Sequence, residues 1–161
     1  MERTKTINWK DPMEGVAQIH MMSGIDYLQA ISDGKIPFPP LLHTLDFTVA
    51  SIIKGEAIFS FRPQEFHYNS IGTVHGGVIS AILDSAMGCS LHSLLPAGNG
   101  YTTLELKVNF LKAITIKTGE LKAIGRVIHA GGRTALVEAQ LQGNSNTIYA
   151  HATSTCLIIK L

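Results

Sequence analysis

The feature that most constrains the fold is a run of about 20 small and apolar residues between Gly76 and Leu95. Two glycines begin the run and Pro96 follows its end, so the start and stop residues are those of one helix, about 30 Å long. Such a helix presents no polar face, and a helix that is apolar all round is buried. The sequence therefore predicts one central helix that the rest of the chain must cover.

Alternating apolar and polar residues on both sides of this helix indicate strands. Two such runs, at 45–49 and 57–61, precede it and are joined by a turn at Gly55. Four more runs follow the helix, at 104–110, 119–129, 134–142 and 148–159. A parallel sheet would need a helix between most strands, so this order predicts an α+β fold with six antiparallel strands wrapped around one helix.

The residues before the first strand form a separate segment. Apolar positions over residues 12–34 recur at helical spacing, and Gly34 is a typical helix stop. The sequence PFPP that follows favours extended backbone. We therefore expect an extra N-terminal helix and a proline-rich arm over residues 1–40, and one domain over residues 41–161.

Composition excludes several classes of protein. The chain is 45% hydrophobic and 16% charged, too apolar for disorder and apolar enough to favour a subunit interface. Thirteen basic and twelve acidic residues do not cluster, which disfavours nucleic-acid binding. No run reaches the roughly 18 apolar residues of a membrane helix, and the N-terminus lacks the apolar stretch of a secretory signal. Two cysteines without a CxxC pair fit reduced thiols, so we expect a cytoplasmic protein.

One acidic residue, Asp84, interrupts the apolar helix, and no Lys or Arg of the run could neutralise it. A buried carboxylate without a partner costs several kcal/mol or takes up a proton. It is therefore kept either for chemistry or because backbone N–H groups or a hydroxyl such as that of Ser85 satisfy it. The helix alone leaves both interpretations open.

The sequence His75-Gly76-Gly77 at the start of the same helix favours the chemical interpretation. The first N–H groups of a helix lack acceptors and carry partial positive charge, and glycine lets a ligand oxygen approach them closely. This pattern is typical of an oxyanion-binding corner. Gly77 and Asp84 are seven residues apart, so both lie on one helix face, two turns apart.

Residues 69–77, NSIGTVHGG, and residues 83–86, LDSA, resemble the signature of the hotdog thioesterase superfamily. They are most similar to its phenylacetyl-CoA thioesterase (PaaI-type) branch, as are residues 103–111 and 130–134. The resemblance covers about residues 40–161. It implies a hotdog fold and an acyl-CoA thioesterase with no cofactor, because coenzyme A is part of the substrate. It also implies a homodimer, or a homotetramer built as a dimer of dimers.

The resemblance further implies roles for individual residues. Asp84 would act on the thioester as general base or nucleophile, while the Gly76 N–H would polarise its carbonyl and His75 would support the loop. Asn69 matches a position beside the reacting carbonyl or water, and Thr103 matches a hydroxyl that helps to place the attacking water. Asp84 would face His75 and Gly76 of the partner subunit. The turn residues that would touch coenzyme A are His129, Gly131, Gly132, Arg133 and Thr134.

The sequence departs from another branch of the family at one position. That branch has a glutamate at the place of Asp84 and a hydroxyl four residues later, where this chain has Gly88. Two other functions stay open: a hotdog hydratase or dehydratase of acyl thioesters, and an acyl-CoA-binding module without catalysis. The first would need a paired His and carboxylate, and the second gains nothing from a buried acid. For His67 and Tyr68 we expect a surface loop, with the pocket entrance as the alternative.

Overall fold

The computed structural model describes residues 2–161. The helices are α1 (Met13–Val16), α2 (Gly24–Ser32), α3 (Pro40–Leu45) and α4 (Gly76–His92). The strands are β1 (Phe47–Ile53), β2 (Glu56–Phe61), β3 (Asn99–Phe110), β4 (Leu121–Ala130), β5 (Thr134–Gln142) and β6 (Ile148–Lys160). Within these residues, none of the helices has both the length and the apolar character needed to cross a membrane.

All six strands form one antiparallel sheet in the order β1-β2-β4-β5-β6-β3, and α4 packs against each of them. Ile82, Leu83 and Met87 of α4 are fully buried in this core. A Cβ at Gly125 of β4 would lie 2.2 Å from the carbonyl oxygen of Ala86, so only glycine lets this strand approach the helix so closely. The predicted α+β hotdog architecture is confirmed.

A bulge in β3 differs from the predicted alternation. The pairing of β3 with β6 shifts after Thr103, and the extra residue, Leu104, is 56% exposed. Tyr101 and Thr103 face α4 before the bulge, whereas Leu106 and Val108 pack on the core after it. Strict alternation over residues 104–110 would put Leu104 on the same side as Leu106, and the bulge moves it out of that row.

Residues 12–34 form two short helices where the sequence predicts one. The second helix, α2, begins at Gly24, whose N–H donates to the carbonyl oxygen of Leu95 at 2.9 Å. A Cβ at Gly24 would lie 1.7 Å from the carbonyl oxygen of His92, so α2 begins in close contact with the end of α4. This tertiary contact fixes where the helix starts. Gly34, at φ +73°, follows its end as predicted.

The proline arm leads into a further short helix. Pro40 occupies the first turn of α3, a position that suits proline because its missing N–H would have no acceptor there. Asp46, in the left-handed region at φ 55°, ends this helix. The first strand therefore starts at Phe47, two residues later than the alternation predicts.

The N-terminal segment packs on the sheet through a second apolar cluster. Leu28, Ile31 and Ile36 are its large buried residues, with exposed fractions of 5%, 5% and 1%. Phe38 and Cys89 contact both this cluster and the main core. The segment is thus packed against the domain along α2.

Candidate active site

Asn69 shapes the loop that leads into α4. Its amide oxygen accepts the N–H groups of Ile71 and Thr73 at 3.0 and 3.2 Å, and its amide nitrogen donates to Thr73 Oγ1 at 2.9 Å. An amide group has two N–H donors, and the described residues provide no acceptor for the second. Asn69 therefore fixes the loop and keeps one donor for a ligand.

The first turn of α4 contains one occupied and one free N–H. His75 caps the helix, and its Nδ1 accepts the Gly77 N–H at 2.8 Å. The Gly76 N–H has no acceptor within residues 2–161. A Cβ at Gly76 would lie 3.1 Å from the ring of Phe110, which packs over this turn. The free N–H thus lies at the positive end of α4 beside an aromatic ring.

A pocket of about 300 Å³ opens at this end of α4. Asn69 and Gly76 both line it, together with Phe110 and the segment at 111–114. The structure therefore brings the Asn69 amide and the Gly76 turn, two of the predicted site features, to one opening.

Asp84 lies two turns further along α4 and faces β3. Thr103 Oγ1 donates to Asp84 Oδ1 at 2.9 Å. Asp84 is half-buried, forms no ion pair within residues 2–161, and its Oδ2 accepts no hydrogen bond there. The hydroxyl of Ser85 donates to Ala81 O at 2.8 Å instead of to the carboxylate. Thr103 therefore orients a carboxylate that keeps one oxygen available.

Asp84 and Gly76 of one chain are too far apart to act on the same carbonyl. Eight residues at 1.5 Å per residue separate them by about 12 Å along the helix axis. An oxyanion donor and an attacking group must both approach one carbonyl to roughly 3 Å. A single chain therefore holds the two halves of the predicted site in different places.

The turn between β4 and β5 lies at the Asp84 level of the sheet. Thr134, at the start of β5, pairs with Leu157 of β6, and Leu157 pairs with Thr102 of β3. The turn is therefore two strands, about 10 Å, from Thr102 and its neighbour Thr103. Arg133 forms no ion pair within the described chain. The predicted coenzyme A residues here are all exposed: His129, Gly131, Gly132, Arg133 and Thr134.

The sequence profile of the thioesterase superfamily matches residues 71–147, which include Gly76, Asp84, Thr103 and the β4–β5 turn. Over these residues the chain is similar to the thioesterase superfamily, whose hotdog fold it shares. The resemblance and the enzyme class that the sequence predicts, a thioester hydrolase, are thereby confirmed.

Individual relatives agree with this resemblance. A candidate esterase of Saccharolobus solfataricus is 27% identical over 135 residues, which cover 84% of this chain and 94% of the relative. A candidate thioesterase of Ralstonia eutropha, a phenylacetic acid degradation-related protein, is 25% identical with a TM-score of 0.74, covering 81% of this chain and 98% of that one. A Streptococcus mutans protein bound to acetyl-CoA is 28% identical with a TM-score of 0.65, covering 71% and 89% of the two chains.

In this thioesterase-like chain, His67 is a core residue, and the expected surface loop is wrong. It is 2% exposed, with Nε2 donating to Leu45 O and Nδ1 accepting the Gln64 N–H, both at 2.9 Å. The ring packs between Phe61 and Phe66 at centroid distances of 4.9 and 4.2 Å. Burial lowers the pKa of His67, which keeps the imidazole neutral. No local pattern predicts this burial, because the acceptor Leu45 lies 22 residues away in the sequence.

Tyr101 is a residue near the site that the sequence did not predict. A Cβ at Gly88 would lie 2.0 Å from the Tyr101 hydroxyl, so the phenol occupies the space beside this glycine. Burial raises the pKa of Tyr101, and the nearby Cys89 and Asp84 raise it further. A neutral hydroxyl therefore lies one helical turn from Asp84. The glycine inside a helix is the one signal in the sequence that a bulky neighbour packs there.

Other nucleophiles and metal ligands are not arranged for catalysis in the described part of the chain. Cys89 and Cys156 are free thiols. Burial, as the main cause, and the charge of Asp84, as the lesser one, together raise the pKa of Cys89 to about 12. Its thiol is therefore protonated and a poor nucleophile at neutral pH. Residues 2–161 contain no group of three His, Cys, Asp or Glu side chains that could hold a metal ion.

Proposed function

We propose that the chain hydrolyses acyl-CoA thioesters to the free acid and coenzyme A, with Asp84 as the catalytic carboxylate. The hydrogen bond of 2.9 Å between Thr103 Oγ1 and Asp84 Oδ1 carries this proposal, because it orients the carboxylate and leaves Oδ2 available. The acetyl-CoA bound to the Streptococcus mutans relative supports the substrate class.

The chemistry needs few protein groups because a thioester carbonyl is already electrophilic. The Gly76 N–H, at the positive end of α4, polarises the carbonyl oxygen and stabilises the tetrahedral intermediate. Asp84 takes a proton from water as the water oxygen attacks the carbonyl carbon. The C–S bond then breaks, and Asp84 returns the proton to the departing thiolate, which releases coenzyme A. Alternatively, an Asp84 oxygen attacks the carbonyl carbon and expels coenzyme A as the thiolate, and water then hydrolyses the mixed anhydride. Coenzyme A enters with the substrate, so the mechanism uses no separate cofactor.

The separation of Asp84 from Gly76 implies that two subunits build each site. We propose at least a homodimer, with a dimer of dimers as the larger assembly, in which Asp84 faces Gly76 of the partner subunit. β3 is an edge strand of 12 residues, and such edges readily pair with another chain. Leu104, Phe110 and Leu111, on or next to this strand, are 56%, 53% and 57% exposed, which suits burial in an interface.

Coenzyme A would be held mainly at the β4–β5 turn. Arg133 is a cation free of ion pairs in the described chain, and its planar guanidinium suits a phosphate group. The turn keeps its shape through a hydrogen bond from the Gly131 N–H to Thr134 O at 2.9 Å. The residues of this turn are exposed, so their backbone groups are accessible to the nucleotide part of the substrate.

The decisive experiment compares Asp84→Asn with wild type on a panel of acyl-CoA esters, with thiol release as the readout. Asn keeps the shape and the hydrogen bond from Thr103 but is no base, so we expect kcat to fall by about 10²-fold or more. Asp33→Asn, an exposed acid on the N-terminal side, is the matched control and should keep full activity. Near wild-type hydrolysis by Asp84→Asn would remove Asp84 from the mechanism. A wild type that binds but never hydrolyses the panel would point to the acyl-CoA-binding module.

A further inference from the structure

A second pocket, of about 160 Å³, lies between the N-terminal segment and the sheet. Leu28 and Ile31 of α2 and Leu42 of α3 form one wall, and all three side chains are buried. Cys89 of α4 and Tyr101 of β3 line the opposite side. The pocket is thus mostly apolar, and part of its wall belongs to residues that precede the hotdog sheet.

This pocket begins next to Asp84. Ser85, the following residue, lines it, and so does Cys89, about 6 Å beyond Ser85 along the helix axis. Tyr101 is two residues before Thr103 on the same face of β3, and Thr103 holds the Asp84 carboxylate. A thioester carbonyl placed beside Asp84 therefore has this pocket as its nearest apolar space.

We propose that this pocket holds the acyl group and that α2 sets the longest acyl chain that fits. The proposal deepens the proposed function and rests on it. An apolar cavity of about 150 Å³ holds one benzene molecule, so this pocket accommodates an acyl group of about six carbons. Beyond that length the chain meets Leu28 and Ile31, which are each 5% exposed.

The wall is fixed in place, which is what a length limit requires. The Gly24 N–H donates to Leu95 O at 2.9 Å, and α2 cannot slide along α4 without a clash at His92. Leu28 and Ile31 also pack with Ile36 in one buried cluster. A longer acyl chain must therefore displace packed side chains, and each such displacement lowers the rate of its hydrolysis.

The test compares Ile31→Ala with Ile36→Ala across straight-chain acyl-CoA esters of about four to about sixteen carbons. Both variants delete the same atoms from the same buried cluster, but Ile36 lies outside the pocket. We expect Ile31→Ala to move the optimum about two carbons longer and to raise kcat/KM for those esters about 15-fold, since each of the two buried CH₂ groups contributes about fourfold. Ile36→Ala should keep the wild-type optimum. Leu28→Ala replaces Ile31→Ala if the latter does not fold.

A second readout separates this proposal from the proposed hydrolysis. Binding of the free fatty acids, the products, is followed by thermal shift for the same three proteins. Identical chain-length profiles for Ile31→Ala and Ile36→Ala in both assays would overturn the acyl-pocket proposal. A wild type without hydrolysis, but with fatty-acid binding whose length preference changes only in Ile31→Ala, would overturn the hydrolysis and uphold the pocket. Absence of both hydrolysis and binding would overturn both proposals.

Discussion

At the scale of single residues, Gly76→Pro removes the N–H of Gly76 and also adds carbon atoms next to Phe110. Proline suits the first position of a helix, and His75 before it has the extended backbone, φ −63° and ψ 136°, that a following proline requires. We expect Gly76→Pro to lower kcat by about 10²-fold or more, the usual cost of losing an oxyanion donor. Steady-state kinetics on the best acyl-CoA ester measures the effect.

The matched control for Gly76→Pro is Gly76→Ala. Alanine also places a Cβ against Phe110, at 3.1 Å, but it keeps the N–H. It should therefore retain most of the activity, because the edge of a flexible ring can move by a few tenths of an ångström. Equal losses in both variants would show that the added carbon, and not the missing N–H, is what matters.

His67 should make the stability of the fold depend on pH. Burial lowers its pKa below the ordinary value of 6.5, so below that pH the unfolded chain binds a proton that the folded chain does not. The stabilisation is complete above about pH 6.5 and is lost as the pH falls towards the lowered pKa. Burial lowers the pKa of His92 too, so that residue adds to the same trend.

Urea unfolding at about pH 7 and about pH 5 tests this expectation. The free energy of unfolding of the wild type should be lower at about pH 5 than at about pH 7. The difference should be smaller in His67→Gln, whose side chain can keep one hydrogen bond but does not titrate. The exposed His129→Gln serves as the control and should follow the wild type. A wild type and a His67→Gln variant with the same pH dependence would disprove the assignment.

The sequence predicts site residues that share a short stretch and misses those that meet across the fold. The oxyanion corner and Asp84 lie within one helix, so spacing alone places them on one face, and the family resemblance adds Thr103. Tyr101 is different, because its hydroxyl meets Gly88 only once β3 lies along α4. Pattern reasoning within one element contains no information on such a contact.

At the scale of elements, the strands are predictable because alternation and turn residues are local. The start of α2 is not, because the end of α4 decides it. Gly24→Ala tests this contact, since its Cβ would overlap the carbonyl oxygen of His92 at 1.7 Å. We expect a loss of about 1–3 kcal/mol in the free energy of unfolding, as is typical of overpacking.

Gly132→Ala is the matched control for Gly24→Ala. A Cβ at Gly132 would meet no atom within 4 Å, so the same change of residue costs little there. Thermal and denaturant unfolding of both variants give the comparison. If Gly24→Ala were as stable as Gly132→Ala, α2 would not depend on close contact with α4.

At the scale of the whole molecule, activity should require assembly. Analytical ultracentrifugation at micromolar concentration is expected to give a dimer or a larger species, because one chain cannot bring Asp84 within reach of Gly76. Dilution below the dissociation constant of the dimer should lower the activity per chain. A stable monomer with full activity would contradict the two-subunit site.

The length of α4 between Gly76 and Asp84 also predicts that two inactive variants restore activity when they are combined. If each site takes its base from one chain and its N–H donor from the other, Asp84→Asn and Gly76→Pro are defects that complement each other. A mixed dimer of the two inactive chains then has one site with both defects and one site with neither. Equal amounts of the two proteins, unfolded and refolded together, should regain about one quarter of wild-type activity, since half of the dimers are mixed and each contains one intact site.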